Sequence, residues 1–206
     1  MRQGSESWVQ AFPSDIDPRE RELTGRTVGI VGLGQVGRRL AELLAPFHVD
    51  LHVADPFVPE EVISGAGGRR CTLEEMVDAC DVVILCAAAN KGTSRLFNPS
   101  LINRLKPNAV LVNVARASLV DTGALLERLA KGDLFAAIDV FDQEPLPADD
   151  PLRRMENACL TPHRSGGLLS SVRRTVEWLV DDYERFLSGE PRKYAVTEAM
   201  IPSLDS

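Results

Sequence analysis

The sequence has no apolar run that approaches the roughly 18 residues a helix needs to cross a bilayer. It has no surplus of positive charge either. Its 23 Lys and Arg residues face 30 Asp and Glu, a net charge of −7. That balance argues against nonspecific binding to nucleic acid or to an anionic membrane surface. The arginine doublets at 38–39, 69–70, 153–154 and 173–174 are scattered, as solvated faces would be. Cysteines are few: Cys71, Cys80, Cys86 and Cys159 form no C-x-x-C pair, and no histidine pair shares metal-ligand spacing with them. No metal site is expected, and the thiols read as the buried, reduced cysteines of a cytoplasmic protein. Met1–Glu6 has no apolar signal-peptide core, which points to the same compartment. There is no internal repeat and no low-complexity tract.

What is present suits a globular chain. With 206 residues, 44% of them hydrophobic and 26% charged, it is long enough for one large domain, or one domain with appendages. The stretch that organises it is Thr27-Val28-Gly29-Ile30-Val31-Gly32-Leu33-Gly34-Gln35-Val36-Gly37. The β-branched run Val28, Ile30, Val31 reads as a buried strand. Val36, Leu40, Leu43 and Leu44 then recur at helical spacing, ending at Pro46. Between them lies G-x-G-x-x-G. Gly32 permits a tight turn, Gly34 lets a pyrophosphate reach the backbone, and Gly37 lets helix and strand pack closely. The helix N-terminus offers N–H groups and a positive dipole end to phosphates. Taken alone, the motif also fits a bare glycine turn.

Residues 1–24 are polar and broken by Pro13 and Pro18. From Gly25 on, strands alternate with helices. A second strand, Val49 to Ala54, ends at Asp55-Pro56, and a glycine-rich loop follows at 65–68. Thr72 with Glu75 marks a capped helix start. Asp81 to Cys86 is a continuous apolar run, as in a parallel strand covered on both faces. Asn98-Pro99 begins a helix that must end before Pro107; Ala109–Val114 is the next strand. Asp121 caps a helix that Gly132 terminates. Leu134–Val140 and the short Ala158–Leu160 complete the strands. An amphipathic helix with its apolar stripe at 168–187 closes the chain, and Gly189 and Pro191 end it. Such alternation implies right-handed crossovers and a Rossmann-type, doubly wound parallel α/β sheet, with helices on both faces. Ligands bind such sheets at the strands' carboxyl ends.

Asp55 stands 18 residues after Gly37, where a carboxylate meets the adenosine ribose hydroxyls. No arginine immediately follows it, so NAD is favoured over NADP. Three later strand ends carry polar groups. Arg116 can fork onto a carboxylate or carbonyl. Asp139 and Glu144 follow the next strand, and His163 the last. A histidine beside a carboxylate suits general acid/base work. Singly, Arg116 could be a surface-loop residue, Glu144 a turn residue and His163 a cap. Together they converge on one sheet edge.

The stretches Leu23–Gly34, Leu105–Ala109 through Val120-Asp121, Ala137–Phe141 through Glu144-Pro145, and Thr161-Pro162-His163 resemble the cofactor domain of the D-isomer-specific 2-hydroxyacid dehydrogenases. They span most of residues 22–190. The resemblance implies NAD as cofactor and a hydride exchange between NAD(H) and a 2-oxo or D-2-hydroxy acid. It gives Arg116 the substrate carboxylate and carbonyl, His163 the proton, and Glu144 the histidine. The cofactor would be held by Gly32, Gly34, Gln35, Val36, Gly37, Asp55, Ala88, Val114, Ala115, Arg116, Asp139, His163 and Gly166. Of these, Asp139 would reach the nicotinamide carboxamide, and the backbone at Gln35 and Val36 the pyrophosphate. A homodimer through the cofactor domain is implied as well. The chain departs from the family at Ala117, where glycine is usual, at Cys86–Asn90, which lacks the usual proline and threonine, and at Arg164. It also has only 24 residues before Gly25, too few for the family's substrate domain. The expected layout is therefore a connecting tail at 1–24, an NAD-binding domain at 25–164, a crossover helix at 165–190 and, at 191–206, the tail of a substrate domain. A non-catalytic NAD-binding or nucleotide-sensing module is the alternative.

Overall fold

A computed structural model describes residues 22–198. Seven parallel strands form one sheet in the order β3-β2-β1-β4-β5-β6-β7. The strands are β1 Thr27–Val31, β2 Asp50–Ala54, β3 Gly68–Arg70, β4 Val82–Leu85, β5 Ala109–Asn113, β6 Leu134–Ile138 and β7 Ala158–Leu160. The helices are α1 Gln35–Leu44, α2 Glu60–Gly65, α3 Leu73–Ala79, α4 Pro99–Arg104, α5 Thr122–Ala130 and α6 Leu169–Leu187. The chain order reverses between β1 and β4, and there the crevice for a dinucleotide opens.

The central strands β1, β4, β5 and β6 are largely apolar because helices cover both faces. Ile30 and Val31 are neighbours in β1 and enter different buried clusters, since successive side chains point to opposite faces. Ile30 joins Val28, Ala41, Leu44, Val53 and Ile63 beneath α1 and α2. Val31 joins Met76, Val77, Leu85, Leu101, Ile102, Leu111, Leu125 and Leu129 beneath α3, α4 and α5.

The local start signals are satisfied as read. The Thr72 hydroxyl accepts the Glu75 N–H while the Glu75 carboxylate accepts the Thr72 N–H, a reciprocal cap for α3. Asn98 caps α4 through the Leu101 N–H, and Asp121 caps α5 through the Ala124 N–H. Gly132 ends α5 in the left-handed region, φ +78°.

Three expectations differ in the structure. The supposed loop at 65–68 holds the end of α2 and the start of β3. These elements of six and three residues are too short to show a period, and Gly68-Arg69-Arg70 lacks any apolar side chain. In α1 the buried residues are Gly37, Ala41 and Leu44, while Val36 and Leu43 are exposed. Small residues at i and i+4 bring this helix close to the sheet, and the bulkier ones turn outward. The thiols are not uniformly buried. Cys80 is buried, its pKa pushed up to about 12 by desolvation, whereas Cys159 is exposed on the edge strand β7. The amphipathic helix α6 forms as its periodicity predicts, and its apolar stripe lies open, with Leu169 79%, Leu179 64% and Leu187 66% exposed. Only Asp182 of this helix is buried. Its carboxylate accepts the N–H groups of Lys193 and Tyr194, and Trp178 stacks on Tyr194 with ring centroids 5.2 Å apart, so the chain after Gly189 folds back along α6. Residues 1–21, which include most of the expected connecting tail, lie outside the described residues, as do residues 199–206. Among the described residues, no helix is long and apolar enough to cross a membrane, and no group of His, Cys, Asp and Glu is placed to hold a metal.

Candidate active site

All the polar residues singled out at strand ends lie on one edge of the sheet, because every strand runs the same way. The glycine turn follows β1. Gly32 takes φ +89°, and a Cβ there would meet the Ala87 backbone at 2.6 Å. Gly32 N–H donates to Ala54 O across to β2. A Cβ on Gly37 would lie 2.2 Å from the Gly32 carbonyl oxygen, so only glycine lets α1 start this close to β1. Gly34 differs: nothing lies within 4 Å of its would-be Cβ. It is the N-cap of α1, and no side chain caps that helix. The first-turn N–H groups around Gln35 and Val36 therefore face an open cradle of the kind a pyrophosphate fills.

Asp55 follows β2 and ties that cradle to its neighbour. One carboxylate oxygen accepts the Leu33 N–H at 2.8 Å, inside the glycine turn. The other accepts the N–H groups of Phe57 at 2.9 Å and Val58 at 3.2 Å. An arginine distant in sequence, Arg70, reaches this same loop. The loop after β4 is shaped by Asn90, whose side chain accepts the Gly92 and Thr93 N–H groups, and by the Thr93 hydroxyl, which donates to Ala88 O.

At the end of β5 the buried Asn113 makes a side-chain turn. Its amide donates to Arg116 O at 2.9 Å and its oxygen accepts the Ala115 N–H at 3.1 Å. This holds Val114 and Ala115 along the edge and presents Arg116, which is exposed and donates to Ala115 O. Asparagine closing an apolar strand was the available signal for this role.

His163 and Glu144 meet on the far side. His163 Nδ1 lies 2.8 Å from Glu144 Oε2, and Glu144 Oε1 accepts the Phe141 N–H. The His163 hydrogen bond, then the Phe141 N–H, hold the Glu144 carboxyl below its usual range, and the nearby charge of Arg116 adds to this. An ionised Glu144 accepts only, so Nδ1 is the donor and Nε2 is left for the crevice. The ring is 45% exposed.

His163 has φ +50°, a conformation that non-glycine residues adopt only when their surroundings impose it. Asp139 imposes it. Its carbonyl accepts the His163 N–H. Its carboxylate is 2% exposed and takes the Thr161 hydroxyl, the Arg164 N–H, and both the N–H and hydroxyl of Ser165. Every good acceptor position is thus used by the 161–165 turn, and contact with a carboxamide would require giving one up. At Gly166, just beyond, nothing lies within 4 Å of a would-be Cβ.

Burial opposes ionisation of Asp139, yet the hydrogen bonds from Ser165, Thr161 and Arg164 outweigh it and hold the pKa at about 2 against an ordinary 3.8. A depressed carboxyl stabilises the fold above its unfolded pKa, and that contribution is lost as pH falls through the folded value. Between pH 5 and pH 2 the chain should lose about 2 kcal/mol through this group. Urea titrations of Asp139→Asn should lack that step and show a destabilisation of about 3 kcal/mol at pH 7, because the amide presents a donor to donors. A variant as stable as the parent at pH 7 would remove Asp139 as the anchor of the turn.

A glycine turn at the topological switch, an open helix N-terminus and a carboxylate closing the second strand define a dinucleotide-binding domain. Residues 1–165 match the model of the D-isomer specific 2-hydroxyacid dehydrogenase NAD binding domain, and the chain belongs to that family. It is 34% identical over 176 residues to D-3-phosphoglycerate dehydrogenase of Bacillus subtilis, covering 85% of this chain and 33% of that protein. It is 32% identical over 181 residues to glyoxylate reductase of Korarchaeum cryptofilum, covering 87% and 54%. The solved NAD complex of the NAD-dependent formate dehydrogenase from Staphylococcus aureus superimposes with a TM-score of 0.68 at 35% identity, covering 83% of this chain and 52% of that one. The chain thus spans from a third to about half of the length of these relatives. NAD is the cofactor of this domain, and the open Gly34 cradle and the Asp55 carboxylate suit its pyrophosphate and ribose.

Proposed function

We propose that this chain is the cofactor half of an NAD-dependent dehydrogenase that interconverts a 2-oxo acid and a D-2-hydroxy acid. The observation that carries the reading is the His163–Glu144 pair at the strand ends, with Nδ1 2.8 Å from the carboxylate and Nε2 not part of that contact. NAD supplies the hydride chemistry when bound. Arg116 binds the substrate carboxylate and steadies its carbonyl through paired N–H groups. His163 gives a proton from Nε2 to the carbonyl oxygen during reduction and takes it back during oxidation. Glu144 holds the ring in one tautomer and balances its charge. Asp139 acts beneath them by fixing the turn that aims His163. Gln35 and Val36 hold the pyrophosphate with backbone N–H groups, and Val114 and Ala115 line the nicotinamide side. Assembly as a homodimer through this domain belongs to the same reading.

The exposed stripe of α6 favours a second reading, in which the chain is an NAD-binding module that docks on a partner through this helix and turns over no substrate. Mixing the 206-residue protein with NADH and a panel of 2-oxo acids, with absorbance of NADH as the readout, separates the two. Oxidation of NADH by at least one 2-oxo acid is expected. Tight NADH binding with no turnover of any of them would establish the binding module instead.

A further inference from the structure

We infer that Arg70 is a positioning residue for the adenosine end of the cofactor, acting through the loop that carries Asp55. Arg70 closes the edge strand β3, opposite Val53 of β2. Its guanidinium makes two contacts with one loop and a third with Glu60, the first residue of α2. Nη1 donates to Asp55 O at 2.5 Å, Nη2 donates to Val58 O at 2.5 Å, and Nε donates to the Glu60 carboxylate at 2.8 Å. Its bonds to the loop carbonyls thus reach back 15 and 12 residues along the chain.

The geometry gives this fork a purpose beyond covering carbonyls. The Asp55 carboxylate has one oxygen on Phe57 and Val58 N–H, and the other on Leu33 N–H. The latter oxygen keeps a lone pair for a ribose hydroxyl. Its direction depends on where the 55–58 backbone sits. Proline at 56 and at 59 removes two N–H groups that could have fastened that backbone to its surroundings. Arg70 supplies the fastening from outside, gripping both ends of the turn at once. One chain of contacts therefore runs from β3 through the turn and Asp55 to the glycine turn. The planar fork is needed, because a lysine ammonium at the same place cannot span two carbonyls and a carboxylate in one plane. With its three nitrogens engaged by the loop and by Glu60, this arginine is also committed away from a ribose 2′-phosphate, which agrees with NAD as cofactor.

The inference rests on the reading of Asp55 as the ribose ligand. It is tested by titrating NADH, ADP-ribose and nicotinamide mononucleotide into the 206-residue chain, as wild type, Arg70→Ala and Arg70→Lys, with melting curves alongside. Arg70→Ala should weaken NADH and ADP-ribose alike by about tenfold, since ordering the loop then falls to the ligand. Binding of nicotinamide mononucleotide should not change. Arg70→Lys should recover little. The melting temperature should stay within about 3 °C, as expected for an exposed ion pair. An Arg70→Ala chain that binds NADH as tightly as a tight-binding wild type overturns the role of Arg70 alone. Loss of mononucleotide affinity in step with NADH also overturns it, by showing a general structural defect. A wild type with no affinity for ADP-ribose overturns the placement of the adenosine as well.

Discussion

Exchange of His163 for glutamine is expected to lower the rate of NADH oxidation by a 2-oxo acid about 10²–10⁴-fold, the usual contribution of a positioned general acid. NADH affinity should remain within about twofold. Glutamine keeps a side-chain N–H that can still reach Glu144, so the turn at 161–165 is not deprived of its partner. Asp139, not the ring, holds that turn, through four hydrogen bonds to its carboxylate. What glutamine lacks is a proton to give. Stopped-flow absorbance at saturating NADH would measure the loss directly. A reduction of less than about tenfold would remove His163 from the proton-donor role and, with it, the main reason for the histidine–carboxylate pair at this edge. Glu144→Gln should cost less, because it spares the imidazole and removes only the charge that orients it.

Much of this site was legible in the sequence because its logic is topological. In a parallel doubly wound sheet every strand delivers its last residue to one edge, so Asp55, Arg116, Asp139 and His163 could be brought together without knowing a single distance. Helix starts were equally readable where one side chain decides them, as at Thr72, Asn98 and Asp121. The parts that could not be read depend on packing between elements. Val36 and Leu43 look like core residues by spacing, yet the ridge of Gly37 and Ala41 meets the sheet and turns them outward. Arg70 looks like half of a solvated doublet, and only the pairing of β3 with β2 brings it onto the Asp55 loop. Asp139 reads as a residue pointing into the crevice, whereas burial and four donors turn it inward beneath His163. Periodicity shows that a helix has an apolar face, but it does not say which surface covers it.

The glycine turn offers the clearest separation between residues that keep the fold and residues that admit the cofactor. Gly37→Ala is expected to damage both. Its new methyl group would lie 2.2 Å from the Gly32 carbonyl oxygen and 3.3 Å from the Ile30 side chain. The nearer obstacle is backbone, held in β1's own turn, so α1 has to lift from the sheet. Overpacking of this kind costs about 1–3 kcal/mol or more. At the upper end the melting temperature would fall by about 6–12 °C, and the helix N-terminus would no longer aim at the pyrophosphate. Gly34→Ala is expected to behave in the opposite way. Its φ of −73° and ψ of −158° are open to alanine, and no atom stands within 4 Å of the added carbon. The loss of a glycine N-cap costs well under about 1 kcal/mol, so the melting temperature should shift by no more than about 3 °C. The methyl group would, however, occupy the space through which a pyrophosphate must approach, and NADH affinity should fall at least about tenfold. Melting curves and NADH titrations on the two variants decide the matter together. A Gly34→Ala chain that binds NADH like wild type would show that the open space above α1 is not the phosphate cradle. A Gly37→Ala chain that melts like wild type would show that helix and strand can part there at little cost.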